Sequence, residues 1–544
     1  MMDKPVRLAF VPGYPVSLES LCPKSHLLLL QNKLASKGIA ADIVDFGVSE
    51  NRSSGESSDA DNSGERISGW VEQIARGWGG FPSWFGATSD ATLREKELIN
   101  AARRNRLEKG SPQVLVFWLE SRDQLPEILA LSTGLRSSQP QMQQVFSGPY
   151  AFHYGACLLG NHPSVDTVIP EDVAGGLAAY FQTGEWSSVP GVIHRAAQGQ
   201  VQRSERSRSA EGHIPLNVSC LQRPERVKQF PLFQVDFREF PAAFYYQDHA
   251  GSRLAKKHAE ALVDEIIFLQ RRHNASVFHI SAAHVSPAEL LDLTNTLLTH
   301  NIVIIYSLGD ITDPIGSSLA QRLFASGCRS VGFRVPAGSQ RVLEDFYGCT
   351  TGASAMVASV CNCNAAGIFT AVRMCYPCPA DDYHTRAETE LFIETAKPAS
   401  VCIELPALSP ESVWFRQSSA YGFFVSHKEY HRYVAGGNAA YGDLPYTMRG
   451  WSAKRLQQAR TSLEGFAAAA GCMIDVTEQS GVLARLVRSV LDEAEFLEEL
   501  RNALERHCPE RLESLLSYVC ENARTLSESS QAARELVGTV AFSS

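Results

Sequence analysis

The chain has 544 residues, enough for two to four domains that each bury a hydrophobic core. Its formal net charge of −9, with 44% hydrophobic residues, indicates a globular protein and excludes the basic surface that binding to a nucleic-acid backbone requires. The sequence contains neither an apolar run of membrane-spanning length nor the three-part pattern of a secretion signal, so we expect a cytoplasmic protein.

Apolar runs alternate with amphipathic stretches through the first part of the chain. Predicted strands lie at 6–11, 40–46, 113–119, 142–146 and 166–169, and a helix is predicted at 25–37. This alternation predicts a doubly wound, Rossmann-type α/β domain over 1–196, with an insertion at 51–112 that carries a Trp-rich piece. Because ligands of such sheets bind beyond the carboxyl ends of the strands, the following loops supply the candidate binding residues. They are Pro12, Gly13, Tyr14, Ser121, Arg122, Ser147, Gly148, Pro149 and Glu171.

A second series of strands and helices follows a polar linker predicted at 197–225. The strands are predicted at 233–235, 277–280, 302–306, 330–333, 369–374 and 400–405, and the helices at 254–272, 287–299, 317–326 and 354–366. Repeated units of this length predict a partial (β/α) barrel over 226–434, whose working face lies at the loops after the strands. Residues 435–544 lack this rhythm and are predicted to form a helical C-terminal domain.

Several short motifs occur in the order of one known family. Residues 330–343 read SVGFRVPAGSQRVL, and further matching pieces lie at 258–266, 365–368, 146–150 and 168–171. From 1 to 434 the chain resembles cobalamin-binding radical S-adenosylmethionine (SAM) proteins, although no single piece is sufficient. The resemblance implies a cobalamin-binding-like first domain and a radical-SAM-like partial barrel. Cobalamin is therefore the suspected cofactor, held at the loops of the first domain.

The departures from that family fall on the loops that perform its chemistry. Where the family has three cluster-binding cysteines, this chain has Phe240, Phe244 and Gln247. Phenyl rings and an amide cannot replace thiolates, so we expect no iron-sulfur cluster. SAM binding is doubtful for the same reason, because the family anchors SAM partly on the iron. Two further motif positions, a glycine and a glutamate in the family, are Arg334 and Pro336 here.

A replacement metal site is a weaker hypothesis. Cys375 and Cys378 form a C-x-x-C pair, with Cys361, Cys363 and His384 nearby in sequence, and zinc accepts such ligands. Cys361 and Cys363 fall in one predicted helix and point to different faces of it. Thirteen cysteines at irregular spacing are more typical of buried thiols, so we predict no metal site.

Three classes of function are compatible with this pattern. The first is a catalytically silent homologue that binds cobalamin or a small-molecule or peptide substrate for a cysteine-intact, cobalamin-dependent radical SAM enzyme, as in natural-product biosynthesis. The second is a cobalamin-dependent methyltransferase that acts by polar, non-radical transfer, with a histidine as the favoured base. The third is a small-molecule binder without cobalamin. Candidate residues at the barrel mouth are Tyr245, Tyr246, His279, His284, Arg334, Arg373, Tyr376 and Glu404.

Overall fold

The structure is a computed structural model. It describes residues 6–11, 25–46, 100–170, 172–196, 198–205, 232–236, 259–273, 275–283, 285–410, 412–437, 444–487, 492–505, 514–516, 518–519, 522–523 and 525. Several sequence predictions lie outside the described residues: those for Pro12, Gly13, Tyr14, Glu171, Phe240, Phe244, Tyr245, Tyr246, Gln247, His284 and the Trp-rich piece.

The first sheet has seven strands in the order β2-β1-β3-β4-β5-β6-β7. They are β1 (Val6–Phe10), β2 (Ala41–Asp45), β3 (Val114–Trp118), β4 (Gln143–Ser147), β5 (Thr167–Ile169), β6 (Ile193–Arg195) and β7 (Val201–Arg203). The first five pair in parallel, and β6 and β7 add an antiparallel hairpin. Strands β1 and β3 are buried along their whole length because helices cover parallel sheets. The sequence of β3 is accordingly an unbroken apolar run, and that of β1 is interrupted only by Arg7.

Four helices accompany this sheet: α1 (Ser25–Ser36), α2 (Leu125–Ser138), α3 (Pro149–Asn161) and α4 (Val173–Thr183). Residues 100–108 are also helical. Phe117 and Phe146 meet edge to face in the core between sheet and helices, with 5.8 Å between ring centroids.

The second sheet is parallel throughout, in the order β16-β13-β12-β11-β10-β9-β8. Its strands are β8 (Leu232–Asp236), β9 (Val277–Ser281), β10 (Ile305–Ile311), β11 (Cys328–Arg334), β12 (Phe369–Cys375), β13 (Ser400–Glu404) and β16 (Met473–Ile474). Strands β14 (Phe423–Val425) and β15 (Tyr446–Met448) form a separate two-stranded antiparallel sheet. The predicted α/β fold class is confirmed by these two sheets and their helices. Closure into a partial barrel stays a prediction.

The remaining helices are α5 (Ala259–His273), α6 (Pro287–Thr299), α7 (Ser317–Ser326), α8 (Gln340–Asp345), α9 (Ala353–Ala365), α10 (Tyr383–Ala396), α11 (Val413–Arg416), α12 (His427–Val434), α13 (Ala453–Ala469), α14 (Glu478–Val487) and α15 (Glu493–Glu505). Helices α6 and α7 have the predicted bounds because their ends carry strong signals. Ser286 and Glu289 form a capping box before α6, and Gly327 ends α7 with φ 110°.

Two segments differ from their predicted roles. The predicted linker 197–225 contains β7. This strand pairs antiparallel with β6 over three residue pairs and so extends the first sheet. The predicted helical domain 435–544 contains β16 and α14, which belong with the second sheet, while 435–437 belongs with the first. The sequence does not indicate this association, because a two-residue strand and a helix that begins with Glu478 and Gln479 show no apolar pattern of burial.

Within the part of the chain that the structure describes, no helix is both long and apolar enough to cross a membrane.

Candidate functional site

The first candidate site is the carboxyl edge of the first sheet, where β3 and β4 end. Gly148 has φ 97°, and a Cβ added there would lie 2.5 Å from the Leu119 carbonyl oxygen. Glycine is therefore required for this turn to pack against the end of β3. The Ser147 hydroxyl donates to the Ile169 carbonyl over 2.6 Å and fastens the turn to β5. Pro149 then opens α3 at its first position.

Gln124 organises the loop after β3, and the sequence did not single it out. Its buried side chain donates to the Val11 carbonyl over 2.6 Å and accepts from the Ser121 amide over 3.0 Å. One amide thus joins the ends of β1 and β3. The only hint in the sequence is a polar residue directly before a helix-starting Leu-Pro pair.

The chain divides into two compact units, the first built around the first sheet and the second around the second sheet. Arg122, a predicted cofactor ligand, is engaged within the first unit. Its guanidinium donates to the Tyr433 and Gly437 carbonyls over 3.0 and 2.7 Å, and it lies 3.9 Å from the centre of the Tyr433 ring. We call residues 433–437 the docked segment. Tyr150 donates to its Val434 carbonyl over 2.7 Å, and His162 Nε2 lies 2.7 Å from the Ala435 oxygen. Burial lowers the pKa of His162 despite this backbone bond, which favours a neutral ring.

This edge fits cobalamin only in part. Of the predicted ligands in the described residues, Arg122 and Ser147 already bind backbone carbonyls. Ser121, Gly148 and Pro149 remain as the wall that would face a ligand at the strand ends. The charged side chain that sequence reasoning assigned to cobalamin instead holds the docked segment.

The second candidate site is a group of polar side chains near the carboxyl ends of the second sheet. We call it the charged cluster: His279, Ser307, Asp310, Arg334, Arg373, Glu404 and Glu478. Five neighbouring strands, β9 to β13, and helix α14 each contribute at least one member. The predicted candidates His279, Arg334, Arg373 and Glu404 are thus brought together.

Asp310 is the centre of the cluster. The register pairs Arg334 directly with Arg373, an arrangement of like charges that is unfavourable by itself. Asp310 Oδ1 accepts from Arg334 Nε over 2.9 Å, also from Arg334 Nη2, and from Arg373 Nη1 over 3.3 Å. Burial alone raises the pKa of Asp310, but the two guanidinium groups outweigh it, so the pKa lies below its ordinary value.

The backbone at Asp310 is unusual. Its φ is 60°, and the pairing of β10 with β11 shifts register between Leu308 and Ile311. A bulge of this kind re-aims a side chain, and a left-handed aspartate is strained unless its surroundings hold it. Hydrogen bonds from Arg334 and Arg373 hold Asp310 in this conformation.

Glu478 enters the cluster from α14, which packs across β10, β11 and β12. Its carboxylate lies 3.7 Å from Arg373 Nη2 and 4.0 Å from His279 Nε2. Added Cβ atoms at Gly309 and Gly332 would lie 2.9 and 2.5 Å from that carboxylate, so these glycines make room for it. In the sequence, glycines at two strand positions indicate that some group approaches the backbone closely there, but they do not indicate that this group is Glu478.

Arg373 also reaches Glu404, with 3.6 Å between Arg373 Nε and Glu404 Oε1. The Glu404 side chain is 47% exposed, whereas that of Glu478 is 5% exposed. Glu404 therefore marks the open side of the cluster. Desolvation raises the pKa of Glu404 and Arg373 opposes that rise.

One small cavity lies among the described side chains of the cluster. A cavity of about 10 Å³ lies between Asp310, Arg373, Cys402 and Glu478, with Gly332 and Ala371 in its wall. That is about the room that one water needs. His279 Nδ1 lies 2.9 Å from the Ser307 hydroxyl, and both residues are buried.

Tyr376 and Cys402 border the cluster: the Tyr376 amide donates to the Glu404 carbonyl over 2.9 Å, and Cys402 lines the cavity. The Tyr376 phenol interacts with Arg386, and burial raises its pKa to about 12. Cys361 is exposed and Cys363 buried, so one helix does direct them to different faces. Burial raises the pKa of Cys402 to about 12 and that of Cys378 well above its ordinary value. Among the described residues, no three His, Cys, Asp or Glu side chains are placed to hold a metal ion.

No protein-family model matches the chain, and no curated protein matches it. Solved structures do. The radical SAM methyltransferase TsrM from Kitasatospora setae, with cobalamin and a 4Fe-4S cluster bound, is similar with a TM-score of 0.61 at 13% identity, over 93% of this chain and 99% of that one. The cobalamin-dependent SAM radical enzyme OxsB with aqua-cobalamin bound has a TM-score of 0.55 at 10% identity, over 98% of this chain and 80% of that one. The chain therefore has the fold of cobalamin-dependent radical SAM enzymes.

Proposed function

We propose that this protein is a cobalamin-binding homologue of radical SAM methyltransferases that works without an iron-sulfur cluster, as an auxiliary partner that holds cobalamin or substrate for a working enzyme. One observation carries the proposal. Among the described residues at the carboxyl ends of β10, β11 and β12, Asp310, Arg334 and Arg373 bind one another beside a cavity of only about 10 Å³. A fold can persist in this way after its reaction is lost, because packing and chemistry impose separate requirements.

The donor set argues against a cluster. Phe240, Phe244 and Gln247 offer no thiolate at the positions where the resembling family has cysteines. The described cysteines near the second site are poor substitutes, because buried thiols with raised pKa values do not readily form the thiolate that metals require.

Reconstitution with hydroxocobalamin, iron and sulfide tests this proposal. After desalting, we expect corrin absorption bands and iron well below one cluster per chain. Incubation with SAM and a reductant is expected to release no 5′-deoxyadenosine. Stoichiometric labile sulfide, or 5′-deoxyadenosine above that of a mock preparation, contradicts the absence of a cluster. A spectrum without corrin bands contradicts cobalamin binding. Co-purification with a cysteine-intact homologue tests the auxiliary role.

A second candidate is polar methyl transfer by this chain itself, and the exposure of Glu404 favours it. Cobalamin, when bound, supplies a methyl carrier. The chain would position the acceptor and take its proton. Glu404 suits that step better than His279, because it is half exposed at the open side and desolvation raises its pKa, whereas His279 is buried beside Ser307. Demethylation of added methylcobalamin by an acceptor, lost in Glu404→Gln but kept in Glu394→Gln, distinguishes this candidate from the auxiliary role.

A further inference from the structure

One face of the small sheet formed by β14 and β15 is exposed. Phe423 and Met448 are buried, whereas Phe424 is 50% exposed. The register pairs Phe424 with Thr447, and the ladder continues to Arg449, whose amide donates to the carbonyl of the residue before Phe423 over 2.8 Å. Because alternate residues of a strand point to opposite faces, Thr447 and Arg449 share the exposed face with Phe424.

Two more cations follow closely in the chain. Lys454 and Arg455 lie in the first turn of α13, and both are exposed, as is Arg449. Arg455 Nη1 donates to the Gly450 carbonyl over 2.9 Å, and its guanidinium lies 4.9 Å from the centre of the Trp451 ring. Arg455 therefore lies against the residue that follows Arg449. We call this surface the basic face: Phe424, Thr447, Arg449, Lys454 and Arg455.

The cations of the basic face are not balanced by carboxylates. Arg449 Nη2 donates to the Ser419 carbonyl over 3.3 Å, and within the part of the chain that the structure describes, neither arginine of this face nor Lys454 is paired with an acidic side chain. Basic residues in the first turn of α13 also oppose the helix dipole. This arrangement is unfavourable in the isolated chain and favours an anionic partner.

The charge of the surrounding sequence agrees with that reading. Residues 405–460 contain seven Lys or Arg and three Asp or Glu, a net charge of +4 by subtraction. The whole chain carries −9, so the rest of it carries −13, by subtraction of +4 from −9. Positive charge is thus concentrated around the basic face of an otherwise acidic protein.

A peptide matches this surface better than a nucleic acid does. Arginine binds a carboxylate through two parallel hydrogen bonds, and Phe424 offers an apolar contact beside the cations. Binding of single-stranded nucleic acid needs free aromatic faces and a basic groove that follows the backbone. Arg455 already covers one face of Trp451, and the acidic remainder of the chain repels phosphates beyond the basic face.

We propose that the basic face is a docking surface for an acidic segment of a partner protein. Carboxylates of that segment pair with Arg449 and Arg455, and an apolar side chain of it packs on Phe424. The basic face shares no residue with either candidate site, so the inference goes beyond the proposed function and does not depend on bound cobalamin.

The test measures fluorescence anisotropy of a labelled heptapeptide, one leucine flanked on each side by three glutamates, with the full chain. We expect saturable binding that weakens as sodium chloride rises, and no saturable binding of the same peptide with lysines in place of glutamates. The double variant Arg449→Glu/Arg455→Glu is expected to bind about tenfold more weakly or worse, and Phe424→Ser about threefold more weakly. The double variant Lys109→Glu/Arg271→Glu changes two other exposed cations by the same total charge, and it is expected to bind as the wild type does.

Hydrogen exchange of the wild type locates the peptide without any substitution. We expect slower exchange at 419–425 and 444–455 when the glutamate peptide is added. Absence of saturable binding, protection elsewhere only, or unchanged affinity in a folded Arg449→Glu/Arg455→Glu variant overturns the inference, with far-UV circular dichroism as the check on folding. Tighter binding of an oligouridylate of seven nucleotides assigns the surface to nucleic acid and also rejects it. Hydroxocobalamin titration of the same preparations tests the proposed function separately, because corrin binding is expected in every one of these variants.

Discussion

Replacing Asp310 with asparagine tests whether that carboxylate holds the charged cluster together. Asparagine also tolerates a left-handed backbone, so Asp310→Asn removes the charge without adding strain at φ 60°. The change leaves two guanidinium groups, 11% and 22% exposed, facing a neutral amide in place of their shared carboxylate. Breaking a buried ion pair costs about 3–5 kcal/mol, and the residual exposure here places our expectation near about 3 kcal/mol.

Hydrogen exchange across a urea series measures this loss. Peptides from β10, β11 and β12 report on the second sheet alone, which matters because a chain with two units need not unfold in one step. Exposed Asp292 on α6 provides the control, and Asp292→Asn is expected to change stability by less than about 0.5 kcal/mol. In the double variant with Arg334→Met, part of the loss is expected to return, because one of the two guanidinium groups that faced the Asp310 carboxylate is also removed.

The pH dependence of the same difference follows from the lowered pKa of Asp310. A carboxyl group whose pKa is lower in the folded state contributes stability that is present above its unfolded pKa, about 3.9, and is lost as pH falls through the folded pKa. The gap between wild type and Asp310→Asn is therefore expected to be constant from about pH 6 to 8 and to shrink below about pH 4. A variant as stable as the wild type at pH 7, or a gap that widens in acid, refutes the reasoning.

Three further predictions concern other parts of the chain. Gly148→Ala is expected to destabilise the first unit by more than about 2 kcal/mol, whereas Gly184→Ala, which meets no atom within 4 Å, costs only the left-handed strain of about 1 kcal/mol; urea unfolding of both variants checks this. Tyr150→Phe removes one buried hydrogen bond and is expected to cost about 1 kcal/mol and to speed amide exchange in the docked segment. At pH 8, exposed Cys361 is expected to react with iodoacetamide at least about tenfold faster than buried Cys402, as read by peptide mass spectrometry; equal rates contradict the burial that raises the pKa of Cys402.

The strands were predictable from sequence because parallel strands buried on both faces read as apolar runs. The end of β10 was not predictable in this way. Its prediction ended at Tyr306, because Gly309 and Asp310 are typical of a turn, whereas the structure extends the strand to Ile311 through a bulge. Asp310, the central acceptor of the charged cluster, was missed for that reason.

The candidate site was predictable where its residues follow strands in the sequence. His279, Arg334, Arg373 and Glu404 lie on neighbouring strands of one parallel sheet, so topology alone brings them together. Glu478 approaches from a helix more than seventy residues later in the chain, and no local pattern specifies that contact. Arg122 follows a strand and is therefore predicted to face a ligand. Its partners are instead the backbone carbonyls of Tyr433 and Gly437, which lie about three hundred residues later and which no local pattern specifies.

The late position of α14 bears on how the protein is made. A ribosome releases β10, β11 and β12 long before Glu478 emerges, so the nascent second sheet holds two arginines, two of their three carboxylates and an uncovered apolar surface while translation continues. Contacts of such long sequence separation slow folding. A nascent chain that ends before α14 is consequently expected to bind chaperones, because the apolar surface of its second sheet is still uncovered.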